Sequence, residues 1–561
     1  MFSGHLDPSP RFLRQESERA GRILACMRVN LFSLVFLALA CALPLAVSGE
    51  DGAAILAHHR AFVGWQADDA GVQSLKLTYV IAPRRTPAPS SSATPLADAA
   101  PAREPSVTEY RHGLVYRDIE RTGRGLSVGE GFNGKQFWRS DESGNTVVVL
   151  EKELRLAFTE NVVDAEAAVL VPSVARGTAQ VDSKIADVVR ITPPDGVPAD
   201  LYVERATGAY LRVVYDPDDR FDSYSIDIIA YRDLAPGKKI VSETRGTTRG
   251  AVLRLATAEL NPTIDPADLR IPRPASSWTF GSTEPYPITV AIEARAGRSV
   301  RVRASINGHE GTFLLDSGSS DILVFTPYAD TIGLEELGRS AYTGVNGGVV
   351  GAKLARVKDL AIGANVLHNV VVNVSSRGFS GVDGILGYPL LANAIVDVDL
   401  NSKAMTILDP TKFDATVGKG AFGFPVDLTT FQPGVIMSFP KGVVAHPVLD
   451  SGNEFNVLLA EDMLRSGKVT GVADTITIGG VGEFENYLFL GGVDGSGTQK
   501  APCIRTNMSV GPYRYQQALT CFAPGNVFGS DGGLIGFDFM RHFNWTFDYP
   551  EAKLVLTPNG L

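Results

Sequence analysis

The chain has 561 residues, of which 44% are hydrophobic and 57 are glycine, and it carries a formal net charge of −10. That length exceeds one hydrophobic core and calls for two to four domains, and that composition excludes an intrinsically disordered chain. The negative balance argues against nucleic acid or an anionic membrane surface as the main partner, because both would repel the average charge.

Residues 1–26 are polar and include Arg11, Arg14, Arg19 and Arg22; Met27-Arg28 then precedes an apolar stretch from Val29 to Ser48. A positive flank, a short apolar core and a small-residue exit at Ala46-Val47-Ser48 read as a secretory leader over 1–48, with the true start at Met1 or Met27. The competing reading is an uncleaved membrane anchor. Cleavage predicts an exported protein, periplasmic or secreted; retention predicts a membrane-anchored one.

Residues 49–275 read as an antiparallel β domain. Ala54–Val63 has the pattern of a short amphipathic helix, followed by alternating runs at Leu75–Ile81, Gly113–Ile119, Val147–Leu150, Leu201–Glu204, Leu211–Tyr215 and Ser223–Ala230. The Pro-, Ser- and Ala-rich segment 86–106 is of low complexity and is expected to be a disordered loop between strands. Gly125-Leu-Ser-Val-Gly129 has the spacing of a serine-nucleophile elbow, but polar Glu120–Arg124 precedes it where an apolar strand is needed. Gly129–Lys135 has phosphate-loop spacing, yet Gln136 stands in place of the metal-binding hydroxyl. Both read as turns of the β domain. His58-His59 has no helical ligand spacing, and Asp216-Pro-Asp-Asp219 lacks the glycine and distal glutamate of a calcium loop, so no metal and no cofactor is expected.

Pro-rich segments at Ile271–Pro274 and Glu284–Pro287 mark the junction to the second half, which divides into 286–415 and 420–561. Ser299–Ile306 alternates as a half-buried strand, Asn307-Gly308 is a turn signal, and Gly311–Leu315 runs into Asp316. The stretch Phe313-Leu-Leu-Asp-Ser-Gly-Ser-Ser-Asp-Ile-Leu-Val-Phe325 stops an apolar run at a carboxylate, turns, and resumes. Val448-Leu-Asp-Ser-Gly-Asn-Glu-Phe-Asn-Val-Leu-Leu459 repeats that plan around Asp450. The segments downstream of each turn repeat as well: Gly384-Ile385-Leu386-Gly387 and then Ile395–Leu400 and Ala404–Asp409, against Gly533-Leu534-Ile535-Gly536 and then Trp545–Tyr549 and Lys553–Thr557. An ordered constellation that recurs is far harder to obtain by chance than either motif alone. Cys503 and Cys521, 18 positions apart, are the cysteines that remain beyond the leader and are expected to form a disulfide in an exported protein.

At these residues 286–561 resembles a bilobal aspartic peptidase built from two retropepsin-like halves. The resemblance implies a mainly β fold, two β-barrel lobes of the acid-protease type, preceded here by the antiparallel β domain. It implies that Asp316 and Asp450 are the catalytic carboxylates, polarising the attacking water. Ser317, Gly318 and Ser319, with Ser451, Gly452 and Asn453, would support the two turns. Ile385, Leu386 and Gly387, with Leu534, Ile535 and Gly536, would cross behind them in psi-shaped loops. Asn453 departs from the family's usual hydroxyl, though an amide can still donate a hydrogen bond. Tyr342-Thr343-Gly344 opens a Gly-rich hairpin that is either a substrate-covering flap or a plain loop. Lobe two offers only Gly479–Gly482 or Gly491-Gly492 as a counterpart. Two turns in one chain make a monomer sufficient. The expected partner is a peptide or protein substrate, and the alternative is a protein that binds peptides or lipoproteins without cutting. The layout of 49–275 is similar to the periplasmic lipoprotein-carrier half-barrel, which leaves two readings for it: a structural or substrate-presenting domain, or one that takes a lipophilic ligand.

Overall fold

A computed structural model of the chain describes residues 51–560, apart from 68, 70, 83–105, 221, 247–251, 282–287, 296–298, 344–348, 379–380, 474–475, 478–482, 485–486, 491–498 and 524–527. The leader expected at 1–48, nearly all of segment 86–106 and both glycine pairs expected as a second flap lie outside the described residues.

Helix α1 (Gly52–Val63) buries Ile55, Leu56, His59 and Val63 along one stripe, as its spacing requires. It stops at Gly64, whose left-handed backbone (φ 74°) lets its N–H reach the Arg60 carbonyl. A Cβ at Gly64 would lie 1.8 Å from the Gly237 carbonyl oxygen, so no other residue fits this corner. Among the described residues the domain continues with strands β1 (Ser74–Ala82), β2 (Ser106–His112), β3 (Val115–Gly123), β4 (Leu126–Phe132), β5 (Phe137–Ser140), β6 (Thr146–Val148), β7 (Ser173–Val181), β8 (Lys184–Ile191), β9 (Ala199–Glu204), β10 (Tyr210–Tyr215), β11 (Tyr224–Ala235), β12 (Lys238–Gly246) and β13 (Val252–Leu260). They pair antiparallel in the order β6-β5-β4-β3-β2-β1-β13-β12-β11-β10-β9-β8-β7. Alternation drives the burial: Ala199, Leu201 and Val203 are buried while Asp200 and Tyr202 are less so. Helix α2 (Glu151–Asp164) packs on this sheet through Asn161, which accepts from the buried Arg111 at 2.7 Å, and Thr159, which donates to the Val197 carbonyl. The two glycine motifs expected as turns fall mainly in β4. Its Gly131 pairs with Arg117 and Trp138, and a Cβ there would meet the Tyr116 carbonyl oxygen at 2.3 Å. The turn proper is Asn133–Gln136, where Asn133 Oδ1 accepts two backbone N–H groups.

The second half runs β14 (Ser277–Thr279), β15 (Ile288–Arg295), β16 (Ser299–Ile306), β17 (His309–Leu315), β18 (Leu323–Phe325), β19 (Glu336–Thr343), β20 (Val349–Ile362), β21 (Asn365–Ser375), β22 (Gly384–Leu386), β23 (Ile395–Asp399), β24 (Ala404–Leu408) and β25 (Phe422–Pro425). It continues with β26 (Met437–Ser438), β27 (Val444–Leu449), β28 (Val457–Ala460), β29 (Val472–Ala473), β30 (Ile476–Thr477), β31 (Glu483–Phe484), β32 (Tyr487–Leu490), β33 (Gln499–Val510), β34 (Tyr513–Ala523), β35 (Gly532–Ile535), β36 (Phe543–Asp548) and β37 (Lys553–Pro558).

Pairings β16–β17–β22–β18–β21–β20 return to β16 and close a six-stranded barrel. Pairings β26–β27–β35–β28–β34–β33 return to β26 and close a second ring with the same connectivity. In each, the strand ending at the aspartate runs parallel to the later apolar strand, β17 with β22 and β27 with β35. Strands β15-β24-β23-β36-β37-β25 form an antiparallel sheet that joins the two barrels. One hydrophobic core holds residues of both barrels and of this sheet, among them Phe313, Leu386, Val396, Leu449, Phe522 and Trp545, all essentially inaccessible to water. The mainly β expectation stands. Cys503 and Cys521 face each other across β33 and β34 and are joined as a disulfide.

The N-terminal domain docks on this half through backbone and small polar groups. Gly123 of β3 pairs with Gly338 of β19, and a Cβ on Gly123 would lie 2.5 Å from the Leu337 carbonyl oxygen. Ser143 Oγ accepts from the Val371 N–H at 2.9 Å, and Asn145 Oδ1 accepts from Asn393 Nδ2 at 2.6 Å.

Candidate active site

Each aspartate is delivered by the end of a strand whose last residues are buried: Phe313-Leu314-Leu315 in β17 and Leu449 in β27. The psi strand anchors the turn from behind. Asp316 N–H donates to the Leu386 carbonyl at 3.0 Å, and Asp450 N–H donates to Ile535 at 2.8 Å. Past the crossing, Tyr388 N–H reaches Ser319 O at 2.9 Å and Phe537 N–H reaches Asn453 O at 2.6 Å. Gly387 and Gly536 have room only because they lack a side chain. Their Cβ atoms would sit 2.4 Å from Ser319 O and 2.1 Å from Phe455 O, respectively. Ile385 packs with Leu314 and Leu323, and Leu534 packs against the cluster that contains Leu458 and the disulfide.

The two turns are stitched together reciprocally. Ser317 Oγ donates to Leu449 O at 2.7 Å and accepts from Ser451 N–H at 3.1 Å. Ser451 Oγ donates to Leu315 O at 3.0 Å and accepts from Ser317 N–H at 3.0 Å. Both serines are buried, so each hydroxyl satisfies a donor and an acceptor of the opposite barrel that water does not reach. Gly318 lies against Asp450, where a Cβ would come 2.3 Å from Cγ; Gly452 lies against Asp316, where it would come 2.4 Å from Cγ.

This geometry brings the two carboxyl groups into hydrogen-bond contact. Gly318 N–H donates to Asp316 Oδ1 at 2.9 Å; Gly452 and Asn453 N–H groups donate to Asp450 Oδ1, both at 3.0 Å. Burial, then repulsion from Asp316, pushes Asp450 well above the usual carboxylate range. Burial raises Asp316 as well, against the opposing effect of Asp450 and of the backbone N–H groups of Gly318, Gly452 and Ser319. The pair therefore holds a proton that isolated aspartates would lose, and it titrates as a unit.

Two supporting side chains act within their own turns. Ser319 Oγ donates to Asp321 O at 2.8 Å, and Asn453 Oδ1 accepts from Phe455 N–H at 3.1 Å. Both side chains brace their own loops, and only their backbone N–H groups face the aspartates. In the hairpin β19–β20, the Tyr342 hydroxyl shares a hydrogen bond with Ser375 Oγ at 2.7 Å, and its ring packs on Leu314, Leu323, Phe325 and Ile385. The side chain of Thr343 and all of Gly344 lie outside the described residues. Gln432, which no motif singles out, donates from Nε2 to the Gly318 carbonyl and so holds the first turn from the side.

A cavity of about 760 Å³ reaches the second aspartate of the pair and is lined by Gly318, Val448, Asp450 and Leu534, with Asp316 outside its lining. Asp427, Gln432 and other residues between Pro425 and Ile436 line it, with Phe528, Gly529 and Asp531, together with Leu150–Glu153 and Asp222 of the N-terminal domain.

The aspartyl protease family profile matches residues 302–390, a stretch that contains Asp316 and the first psi strand and supports an aspartyl-protease-like domain there. No curated protein matches the chain. Among solved structures, the crystal structure of a DUF1329 family protein from Desulfovibrio piger shares 12% identity at a TM-score of 0.28, over 39% of this chain and 95% of that one. An overlap that slight carries no structural argument.

Proposed function

We propose that the protein is an aspartic endopeptidase that hydrolyses peptide bonds with water activated between Asp316 and Asp450. The observation that carries this reading is the hydrogen-bonded carboxyl pair, each member at the end of a buried strand and braced by backbone N–H groups. Two carboxyl groups this close cannot both ionise cheaply, so they share one proton. The ionised member takes a proton from the attacking water while the protonated member donates to the substrate carbonyl. The resulting gem-diol collapses as a carboxyl group returns a proton to the leaving nitrogen, and no metal or cofactor takes part. The chain needs no second copy, since both turns are its own, and a peptide or protein is the substrate. The disulfide favours an oxidising compartment outside the cytoplasm.

The test is peptide cleavage at acid pH by the wild type, Asp316→Asn and Asp450→Asn, with a statine-containing transition-state analogue as inhibitor. Each variant should lose about a thousandfold or more in kcat, since removal of an acid–base group typically costs 10²–10⁴-fold. One observation favours a second reading, a cleft that binds peptides without cutting them: the Asn453 side-chain oxygen accepts from the Phe455 N–H, and it is the Asn453 backbone N–H that donates to Asp450. In that case a peptide would bind the wild type and survive intact.

A further inference from the structure

The cavity that reaches Asp450 and Gly318 is lined by both domains. One wall is the start of α2, Leu150 to Glu153, together with Asp222. Hydrogen bonds and close contacts hold that wall in place. The Leu150 N–H donates to Oγ1 of buried Thr429 at 2.8 Å, three residues before the Gln432 that braces Gly318. Lys152 Nζ ties α2 to Asp219 at 2.7 Å and Asp222 at 2.5 Å. The Asp222 carboxylate lies against Gly529, where a Cβ would come 3.1 Å from Oδ1.

The charges along the cleft are lopsided. Lys152 is engaged by two carboxylates, and His446 is engaged by Asp531 at 3.0 Å. Glu153 meets Arg139. Among the described residues, exposed Glu151 and half-buried Asp427, whose Oδ1 accepts only the Thr429 N–H at 2.8 Å, face no cation other than His446, whose proton they help to hold after Asp531 has made the larger contribution. A lining with more carboxylates than cations, in a cavity that would take part of a peptide, selects for positive charge.

We infer that the N-terminal domain is part of the substrate site, and that the cleft prefers peptides with a lysine or arginine side chain at the position lying against Glu151 and Asp427. This rests on the peptidase reading above. Glu151 acts by contact with substrate rather than on the reacting bond.

The experiment uses the full chain and peptide sets in which each position in turn carries lysine, norleucine or glutamate, with kcat/KM read by mass spectrometry for the wild type, Glu151→Gln, Glu151→Lys and Asp316→Asn. At one position the wild type should favour lysine over norleucine by about two- to fivefold, the size expected of one cleft-edge ion pair. That ratio should fall towards one in Glu151→Gln, and Glu151→Lys should favour glutamate over lysine at the same position. A merely structural role for Glu151 would change all peptides alike and leave the ratio untouched. The inference is overturned if no position prefers lysine, or if the preference survives in Glu151→Lys. If the wild type cuts nothing, or Asp316→Asn cuts equally well, the peptidase reading itself falls and this inference falls with it.

Discussion

At the scale of single residues, the site rests on hydroxyls that serve two barrels at once. Ser317→Ala would strip the Ser451 N–H of its acceptor and the Leu449 carbonyl of its donor, both away from water. Groups left unpaired in this way cost about 1–3 kcal/mol, and the loss should appear in urea unfolding together with a fall in kcat. Because Ser451→Ala breaks the mirror-image pair, the double variant should cost less than the sum of the singles; strict additivity would mean that the turns are not coupled. The Asp-Ser-Gly triplets are legible from sequence because a strand-ending carboxylate before a glycine turn is a chemical pattern. The directions of Ser319 and Asn453 are not. An amide or hydroxyl both donates and accepts, and the local N–H of Phe455 and carbonyl of Asp321 win the competition for it.

At the scale of elements, legibility tracks periodicity. Strands β9 and β10 alternate cleanly, and their bounds can be read from the pattern almost as they stand. Helix α2 escapes such a reading because what it buries includes Thr159 and Asn161, polar residues that dock by hydrogen bonds, so no apolar stripe announces it. Strand β4 looks like a pair of turns because glycines normally punctuate chains; here they make room for β3 and Trp138. Under α2 lies a row of carboxyl groups on adjacent strands, Glu109 opposite Asp118 and Asp118 opposite Glu130, with Arg111, Arg139 and α2's own Glu153 nearby. Burial lifts Asp164 to about 7 and Glu160 to about 8, and pushes Asp118 up as well. A carboxyl group raised by folding contributes stability that is complete below its unfolded value, about 4, and is lost as pH climbs through the folded value. The melting temperature should therefore drop between about pH 5 and pH 8, and Glu160→Gln should flatten part of that slope. A melting temperature that rises over this interval would show that these acids are not protonated in the folded chain. The cross-strand disulfide adds a separate contribution. Its reduction should cost about 3 kcal/mol, measured as a shift in the urea midpoint on adding dithiothreitol.

At the scale of the whole molecule, the order of repeated motifs foretells two halves of like connectivity, because strand, turn and crossing strand form a unit whose sequence spacing survives folding. The docking of the N-terminal domain has no such signal. It uses the Gly123–Gly338 backbone pair, the Ser143 and Asn145 side chains and the Leu150 N–H, single groups whose partners lie far away in sequence. If that docking shapes the β19–β20 hairpin, Gly338→Val should force β19 away from β3, since a Cβ already meets the Thr122 carbonyl oxygen at 2.5 Å. The expected result is a raised KM with the melting temperature lowered by only a few degrees; an unchanged KM would make the contact purely structural.

The most direct test of the central claim, that Asp316 and Asp450 act as one proton-sharing unit, is the pH dependence of kcat/KM for peptide cleavage by the wild type beside Asp316→Asn and Asp450→Asn. A shared proton predicts a bell-shaped profile centred in the acid range and lost in both variants. A rate that climbs steadily into the alkaline range, or cleavage that persists in either variant, would contradict it.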